Sequence, residues 1–385
     1  MKKYVIEHLQ KSLESLAQGH SYFVDPAYKV IDPRPVAEYA KSLLLLGKKK
    51  EAKRYFDWLV KVQNRNGSWN EALNQEFNEE SCVATPIIGR MLLIAYQYYH
   101  NRSYLDVAKK ALGYIESKEF LPGYFIKSYA HYSDVLNVNA TCAAFLKKAY
   151  DITKEKKWLA MRDRAIYNVV RYQFKDGAYP YATRLNTFPY EHHLNVRDPH
   201  YHALTFYFLL LADPDLSNRY MKISYRKAMK WLKNEFKSGR VDWSHCEHSF
   251  AIGVTGAYGY ALFCSEVAND HNIRMKILQH IADIQRNDGL FNRFERSNLL
   301  ETIKGVIREF FEWQTISPKE FSISTRFFRI RKRLARDFKE RKNIRVSLYY
   351  STQILDCLTE TMLFNKRIWS LWVGFVLYQL CINIS

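Results

Sequence analysis

The segment QFKDGAY, residues 173–179, follows a pattern that recurs along the chain and indicates the fold class. QNRNGSW (63–69) and QRNDGLF (285–291) repeat its pattern of Gln, three variable residues, Gly, one variable residue and an aromatic side chain. Two weaker copies begin with Glu, EFLPGYF (119–125) and EFKSGRV (235–241), and SLAQGHSYF is a degenerate sixth. The repeat glycines, spaced 48 to 62 residues apart, are Gly19, Gly67, Gly123, Gly177, Gly239 and Gly289. Recurrence at this period predicts one supersecondary unit that is used six times.

An amphipathic helix is predicted before each copy, and a more apolar helix after it. In EAKRYFDWLVKVQ, for example, Ala52, Tyr55, Phe56 and Leu59 fall on one helical face. The amphipathic helices are predicted at 3–17, 49–65, 103–117, 157–174, 219–236 and 272–286. The apolar helices are predicted at 33–46, 80–99, 136–153, 198–212, 248–268 and 348–363. We expect each glycine to end the amphipathic helix in the left-handed conformation, and the aromatic residue to return to the core.

Six such pairs predict an all-α fold: a single α/α toroid over residues 1–385, with about six helical hairpins in two concentric rings. The last hairpin is interrupted by a basic helical insertion at 296–346, and an apolar helix is predicted at 366–385. Within the insertion, residues 326–345 carry ten Lys and Arg against Asp337 and Glu340. The uncharged run 368–384 is at the lower limit of a membrane span, and its Gln379 and Asn383 favour a packed or peripheral helix.

The formal net charge of +19 favours anionic partners, such as an acidic polysaccharide or a membrane surface. No nucleic-acid-binding module is recognisable, so nucleic acid is not expected. The six cysteines form no C-x-x-C pair, and the N-terminal segment has no apolar signal region. These features predict a cytoplasmic protein, with peripheral membrane contact expected through 326–345 and 366–385.

The candidate site lies where the chain approaches the apolar helices. In a toroid of this kind the N-termini of all six inner helices open at the same end, and their dipoles make this mouth attractive to anions. The candidate catalytic residues in the approach segments are His200, His248, Tyr132, Glu247 and Glu80. The candidate substrate-binding residues are Asp32, Arg34, Asn137, Asn139, Arg197, Trp243 and Tyr349. Asp198 also lies in one of these approach segments. Because it precedes Pro199, the alternative to a functional role for it is a purely structural one as a helix N-cap.

The Gln-x-x-x-Gly-x-aromatic phrase resembles the repeat of squalene cyclases and protein prenyltransferase β-subunits. The six-hairpin plan is similar to that of carbohydrate-active toroids, namely polysaccharide lyases, unsaturated-uronyl hydrolases and the helical domain of glucuronyl C5-epimerases. Residues 134–181 most resemble toroid proteins that are encoded in exopolysaccharide biosynthesis clusters. The resemblance covers most of residues 30–295. It implies the toroid fold and a function in polysaccharide biosynthesis, but it does not specify a reaction.

Several functions remain open at this stage. A uronate lyase or epimerase needs Arg or Asn to neutralise the substrate carboxylate, and a Tyr/His pair to move a proton. A hydrolase needs carboxylates, for which Asp32, Glu79, Glu80 and Glu247 are available. A terpene cyclase or prenyltransferase acting on an isoprenoid is the alternative, although the Asp-x-Asp-Asp and Asp-Asp-x-x-Asp motifs are missing. A non-catalytic scaffold at a membrane assembly is another. We expect an anionic glycan substrate and no cofactor. The best zinc candidate is HCEH (245–248), and it is a weak one, so no metal is expected.

Overall fold

A computed structural model describes residues 1–74, 79–127, 135–183, 196–248, 251–295, 299–311 and 346–361, and four single residues between 327 and 334. Its helices are α1 (Lys2–Ala17), α2 (Pro33–Leu45), α3 (Lys49–Lys61), α4 (Ala84–Tyr99), α5 (Arg102–Lys118), α6 (Leu136–Thr153), α7 (Lys156–Arg171), α8 (Pro199–Ala212), α9 (Arg219–Glu235), α10 (Gly256–Val267), α11 (His271–Ile284), α12 (Leu299–Phe311) and α13 (348–361). A short hairpin follows α5, with β1 (Glu119–Leu121) antiparallel to β2 (Tyr124–Phe125), and a 3-10 turn spans Trp243–His245.

The helices form two rings, which confirms the predicted all-α toroid. The inner ring consists of α2, α4, α6, α8, α10 and α13, and the outer ring of α1, α3, α5, α7, α9 and α11. Neighbouring inner helices from α2 to α10 pack against each other, and each also packs on the outer helix that follows it. In the inner helix α8 all residues except Tyr201 and Leu211 are buried, whereas the outer helix α3 buries only Ala52, Tyr55, Phe56 and Leu59. Apolar residues on all sides therefore place a helix inside the ring, and an apolar stripe places it outside.

The ring is closed by α13, which lies between α10 and α2. On one side, a Cβ added at Gly259 of α10 would lie 3.1 Å from the Cα atom of Ile354. On the other side, Thr352 Oγ1 donates to Glu38 Oε2 at 2.8 Å. The last inner helix therefore packs beside the first, although more than 300 residues separate them in the chain.

The repeat phrase joins neighbouring hairpins. Gln63 Nε2 donates to the carbonyl oxygen of Gly67 at 3.0 Å and to that of Val107, on the next outer helix, at 2.9 Å. Gln173 and Gln285 make the corresponding bonds, and the bond from Gln285 to Val5 O, 3.2 Å long, reaches α1 and closes the outer ring. The amide of the repeat Gln thus holds its own loop against the adjacent unit.

The glycine of the repeat has a different role from the one predicted. Helix α3 ends at Lys61, well before Gly67, so the glycine does not cap the helix. It closes a tight turn instead, in which Gly67 N donates to Asn64 O at 2.9 Å and φ is +92°. The turn lies directly on the next outer helix, where a Cβ would collide with the carbonyl of Lys110. Glycine is therefore needed both for its backbone conformation and for the close approach.

The insertion and the C-terminal run fall mostly outside the described residues. Helix α12 is the first part of the predicted insertion, while most of 312–345 and all of 362–385 are not described. Two contacts fix α12 to the toroid: it packs on the turn Trp243–His245, and Arg240 pairs with Glu301 through two hydrogen bonds of 2.7 and 2.9 Å. Within the described ranges, none of the helices combines the length and apolar character needed to cross a bilayer.

Candidate active site at the mouth of the toroid

A cavity of about 290 Å³ opens at the mouth, where α2, α4 and α13 begin. It lies at the end of the ring predicted from the repeat, because each inner helix starts there. Its walls combine charged, aromatic and small side chains. They include Asp25, Tyr28, Asp32, Arg34, Glu71, Ser81, Ala84, Arg293, Tyr349 and Tyr350.

Asp32 presents a carboxyl group to this cavity. Its Oδ1 accepts from the backbone N–H of Arg34 at 2.9 Å and so caps α2, with Pro33 in the first turn. The side chain reaches the cavity but is otherwise surrounded by protein, and this burial raises its pKa well above the usual range. The nearby carboxylate of Glu71 raises the pKa further, whereas the amide and guanidinium of Arg34 oppose the shift. A carboxyl of this kind is suited to proton donation.

Arg34 forms the floor of the cavity. The side chain is buried, its Nε donates to Glu38 Oε1 at 2.8 Å, and its Nη2 donates to the hydroxyl of Tyr260 at 2.9 Å. Its Nη1 donates to the hydroxyl of Tyr349, and its guanidinium lies 4.6 Å from the centre of that ring. Burial raises the pKa of Tyr349, despite the opposing charge of Arg34. The structure therefore brings together three of the predicted substrate-binding residues, Asp32, Arg34 and Tyr349.

A second cluster lies around the start of α8. Asp198 Oδ1 caps the helix by accepting from the N–H of His200 at 2.7 Å and of Tyr201 at 3.1 Å. Its Oδ2 lies 2.8 Å from His248 Nδ1, and the His248 ring stacks on Tyr181 with centroids 5.2 Å apart. The N-cap role considered for Asp198 is confirmed, and the second oxygen is used to hold His248 in place.

His200 connects this cluster to the mouth cavity. Its ring lies edge-on to Tyr350, a wall of the cavity, with centroids 5.8 Å apart. Burial lowers the pKa of His200 to about 4, so the imidazole is neutral at physiological pH. Its Nδ1 is buried and finds no hydrogen-bond partner within the described part of the chain.

His202, two residues later, turns towards the outer ring. Its Nδ1 accepts from the N–H of Tyr179 at 3.0 Å, and its Nε2 lies 3.2 Å from the carbonyl of Ala228 on α9. His200 and His202 therefore face different sides of α8, His200 towards Tyr350 and His202 towards α9.

Arg197 and Glu247 pair with each other. Arg197 Nη1 lies 3.2 Å from Glu247 Oε1, and its Nε pairs with Asp176 at 2.5 Å, so two carboxylates already balance its charge. The HCEH segment is not helical at its end: His245 lies 3.3 Å from Glu235, while His248 turns to Asp198. Among the described residues, no group of three or more His, Cys, Asp or Glu side chains is arranged to hold a metal ion.

The other predicted site residues lie in different parts of the structure. Asn139 Oδ1 accepts from Phe125 N at 2.9 Å, which anchors the β-hairpin, and Asn137 is buried with no hydrogen bond to its Oδ1 from the described residues. Trp243 is only 1% exposed and donates to Glu295, so its ring offers no exposed face to a sugar. Glu80 accepts from Asn66, lies 3.9 Å from Lys118 and is not among the residues that line the cavity. Tyr132 lies outside the described residues.

Glu71 is the main residue that the sequence did not single out. It follows the aromatic residue of the second repeat by two positions, in the segment GSWNE (67–71). Its Oε1 accepts from Ser81 Oγ at 3.0 Å, and Ser81 in turn accepts from the N–H of Ala84 at 3.0 Å, the first residue of α4. Its position two residues after the repeat phrase is the sequence signal that could have identified Glu71.

A second cavity, of about 470 Å³, lies at the opposite end of the ring, where the inner helices finish. Each of the six inner helices contributes to it, and its polar walls include Arg90, Lys147, Lys148, Asp151, Asp215 and Glu360. Asp213 and Asp215, which flank Pro214 directly after α8, lie at this end of the ring.

No family model matches the sequence, and no curated protein matches it. Solved structures do share its fold. An α-amylase from Clostridium perfringens is 11% identical with a TM-score of 0.61, over 92% of this chain and 97% of that chain. A GH76 α-mannanase from Bacteroides thetaiotaomicron is 11% identical with a TM-score of 0.59, over 94% and 97%. A polysaccharide lyase is 10% identical with a TM-score of 0.57, over 94% and 98%. At such identities the likeness shows the fold alone.

Proposed function

We propose that this chain is a carbohydrate-processing enzyme that hydrolyses glycosidic bonds in the mouth cavity. The observation that carries the proposal is the placement of Asp32, whose pKa is raised, in the cavity that Glu71 also lines. Glycoside hydrolysis needs one carboxyl group that protonates the leaving oxygen and a second that acts as base or nucleophile. Asp32 takes the first role and Glu71 the second. The names of the structural neighbours, an α-amylase, an α-mannanase and a polysaccharide lyase, support a glycan as the substrate class.

The charges of the cavity favour a neutral sugar. Asp25 and Glu71 supply two carboxylates beside the protonated carboxyl of Asp32, against Arg34 and Arg293, and Arg34 is already paired with Glu38. An acidic chain would meet carboxylates here with little free positive charge to compensate. Tyr349 and Tyr350 offer aromatic surface against which a sugar ring can pack. The proposed substrate is therefore an α-mannan or α-glucan.

The test uses the purified full chain with α-mannan and with starch-type α-glucan, and measures new reducing ends. We expect release from a neutral glycan, and a loss of at least about 100-fold in Asp32→Asn and in Glu71→Gln, because each removes one proton-transfer group. Asn caps helices about as well as Asp, so Asp32→Asn should keep the stability of α2.

Asp270→Asn is the matched control. Asp270 caps the outer helix α11, so the substitution makes the same chemical change at a helix N-terminus outside the mouth. We expect wild-type activity from this variant. Wild-type activity in Asp32→Asn as well would refute the assignment of the general acid.

The cluster around His248 favours a second candidate, a lyase or epimerase that acts on a uronate-containing glycan. Asp198 fixes the imidazole of His248, as a base that moves a proton requires, and Tyr201 lies beside it with centroids 5.4 Å apart. This candidate retains the expected anionic substrate. Pectate and alginate distinguish the two functions: a lyase forms unsaturated products that absorb ultraviolet light, and His248→Gln abolishes their formation without affecting hydrolysis of a neutral glycan.

A further inference from the structure

Helix α12 exposes three large aliphatic side chains. Leu300, Ile303 and Ile307 are 55%, 47% and 50% exposed, respectively. Their spacing of three and four residues places them on one side of the helix, where Lys304 is also exposed. Gly305, on the opposite side, is buried, and Glu301 is held by Arg240. Gly305 and Glu301 therefore lie on the side of α12 that faces the toroid.

This arrangement is unusual for a helix on the surface of a globular protein, which normally buries its apolar stripe. Single exposed apolar residues are common and need no explanation, and Ile223 on the outer helix α9, 64% exposed, is one of them. Three large aliphatic side chains exposed on one face of a single helix are, in contrast, typical of an interaction surface.

We propose that this face of α12 binds the surface of a bilayer that contains anionic lipids. A short helix with aliphatic residues on one side and lysine at the same level lies in the plane of a membrane interface, where the lysine side chain reaches the headgroups. The charge of the chain favours this partner. The formal net charge is +19, and ten Lys and Arg lie within residues 326–345, after α12 in the sequence.

A second copy of the chain is a less favourable occupant. Two molecules that met through α12 would bring two net charges of +19 together, and this repulsion opposes association. An anionic bilayer, in contrast, gains from both the apolar face and the positive charge. Helix α12 packs on the turn Trp243–His245, which leads into α10, so the bound surface lies towards the mouth end of the ring.

The experiment measures co-sedimentation of the full chain with vesicles of phosphatidylcholine alone and of phosphatidylcholine mixed with phosphatidylglycerol. We expect binding to the mixed vesicles only. The double variant Ile303→Ser/Ile307→Ser should lower the partition coefficient by about tenfold, because it removes apolar area without changing charge. Both residues are exposed, so folding should be unaffected.

The matched control is Ile223→Ser/Met275→Ser, which removes two exposed apolar residues from the outer helices α9 and α11. We expect this variant to bind like the wild type. Three results would overturn the proposal: no binding of the wild type to the mixed vesicles, undiminished binding of the Ile303/Ile307 variant, or sedimentation equilibrium that shows a dimer which the same variant dissociates.

Discussion

Asp198 serves a helix and a candidate site with the two oxygens of one carboxyl group. Its position before Pro199 predicts the N-cap from the sequence, because capping depends on neighbours within three residues. Its contact with His248 spans 50 residues and joins two different hairpins. No local pattern specifies such a pair, since it depends on how far each approach loop extends over the mouth. Local roles of single residues were therefore predictable, while partners across hairpins required the structure.

We expect His202 to make the stability of the chain dependent on pH. Burial lowers its pKa from 6.5 to about 3, so the folded chain binds this proton more weakly than the unfolded chain. The stability that comes from this difference in pKa is fully present above pH 6.5 and is lost as the pH falls towards 3. When the pH falls from 6.5 to 4, the free energy of unfolding of the wild type should decrease by about 3 kcal/mol more than that of His202→Gln, as measured by urea unfolding at each pH. The control is His20→Gln, which replaces an exposed histidine and should show the same dependence of unfolding free energy on pH as the wild type. If His202→Gln also shows the wild-type dependence, the expectation is contradicted.

The repeat phrase shows which features of an element can be predicted. Its Gln, Gly and aromatic positions predicted the number, order and approximate bounds of the hairpins, because each unit repeats the same local structure. The aromatic residue is buried as predicted in the three clear copies, at Trp69, Tyr179 and Phe291. The left-handed conformation of the glycine was predicted correctly, but its role as the end of the helix was wrong. The close approach to the backbone of the next hairpin was missed because it has no signal in the local sequence.

Gly177 tests whether the close packing between neighbouring hairpins requires glycine. Its φ is +105°, and an added Cβ would collide with the carbonyl of Lys227 on the next outer helix. We expect Gly177→Ala to lower the free energy of unfolding by at least about 2 kcal/mol. Gly113→Ala is the matched control, because Gly113 is exposed within α5 and a Cβ there meets nothing within 4 Å. That substitution should stabilise the chain by about 0.5–1 kcal/mol. Equal effects of the two substitutions would refute the close-packing argument.

The whole ring depends on contacts between its first and last inner helices. Lys41 Nζ of α2 lies 2.7 Å from Asp356 Oδ1 of α13 and also pairs with Glu360, which Arg90 of α4 contacts at 3.2 Å. Burial alone would raise the pKa of Glu360, but the charges of Lys41 and Arg90 outweigh it and lower the pKa to about 2. The repeat predicted that the ring closes. It did not predict that closure runs through buried charges, since these residues lie within otherwise apolar helices.

Removing one member of this cluster tests how the ring is held together. Lys41→Met leaves Asp356 and Glu360 buried with one positive neighbour fewer, and breaking a buried ion pair in this way costs about 3–5 kcal/mol. We expect urea unfolding to show a loss of that size. Lys53→Met is the matched control, because the pair between Lys53 and Asp57 is 2.7 Å long but lies on the surface of α3, with both side chains more than 40% exposed. Its loss should change stability by less than about 1 kcal/mol. If both variants are equally stable, the buried cluster does not hold α13 against α2, and closure depends on apolar packing alone.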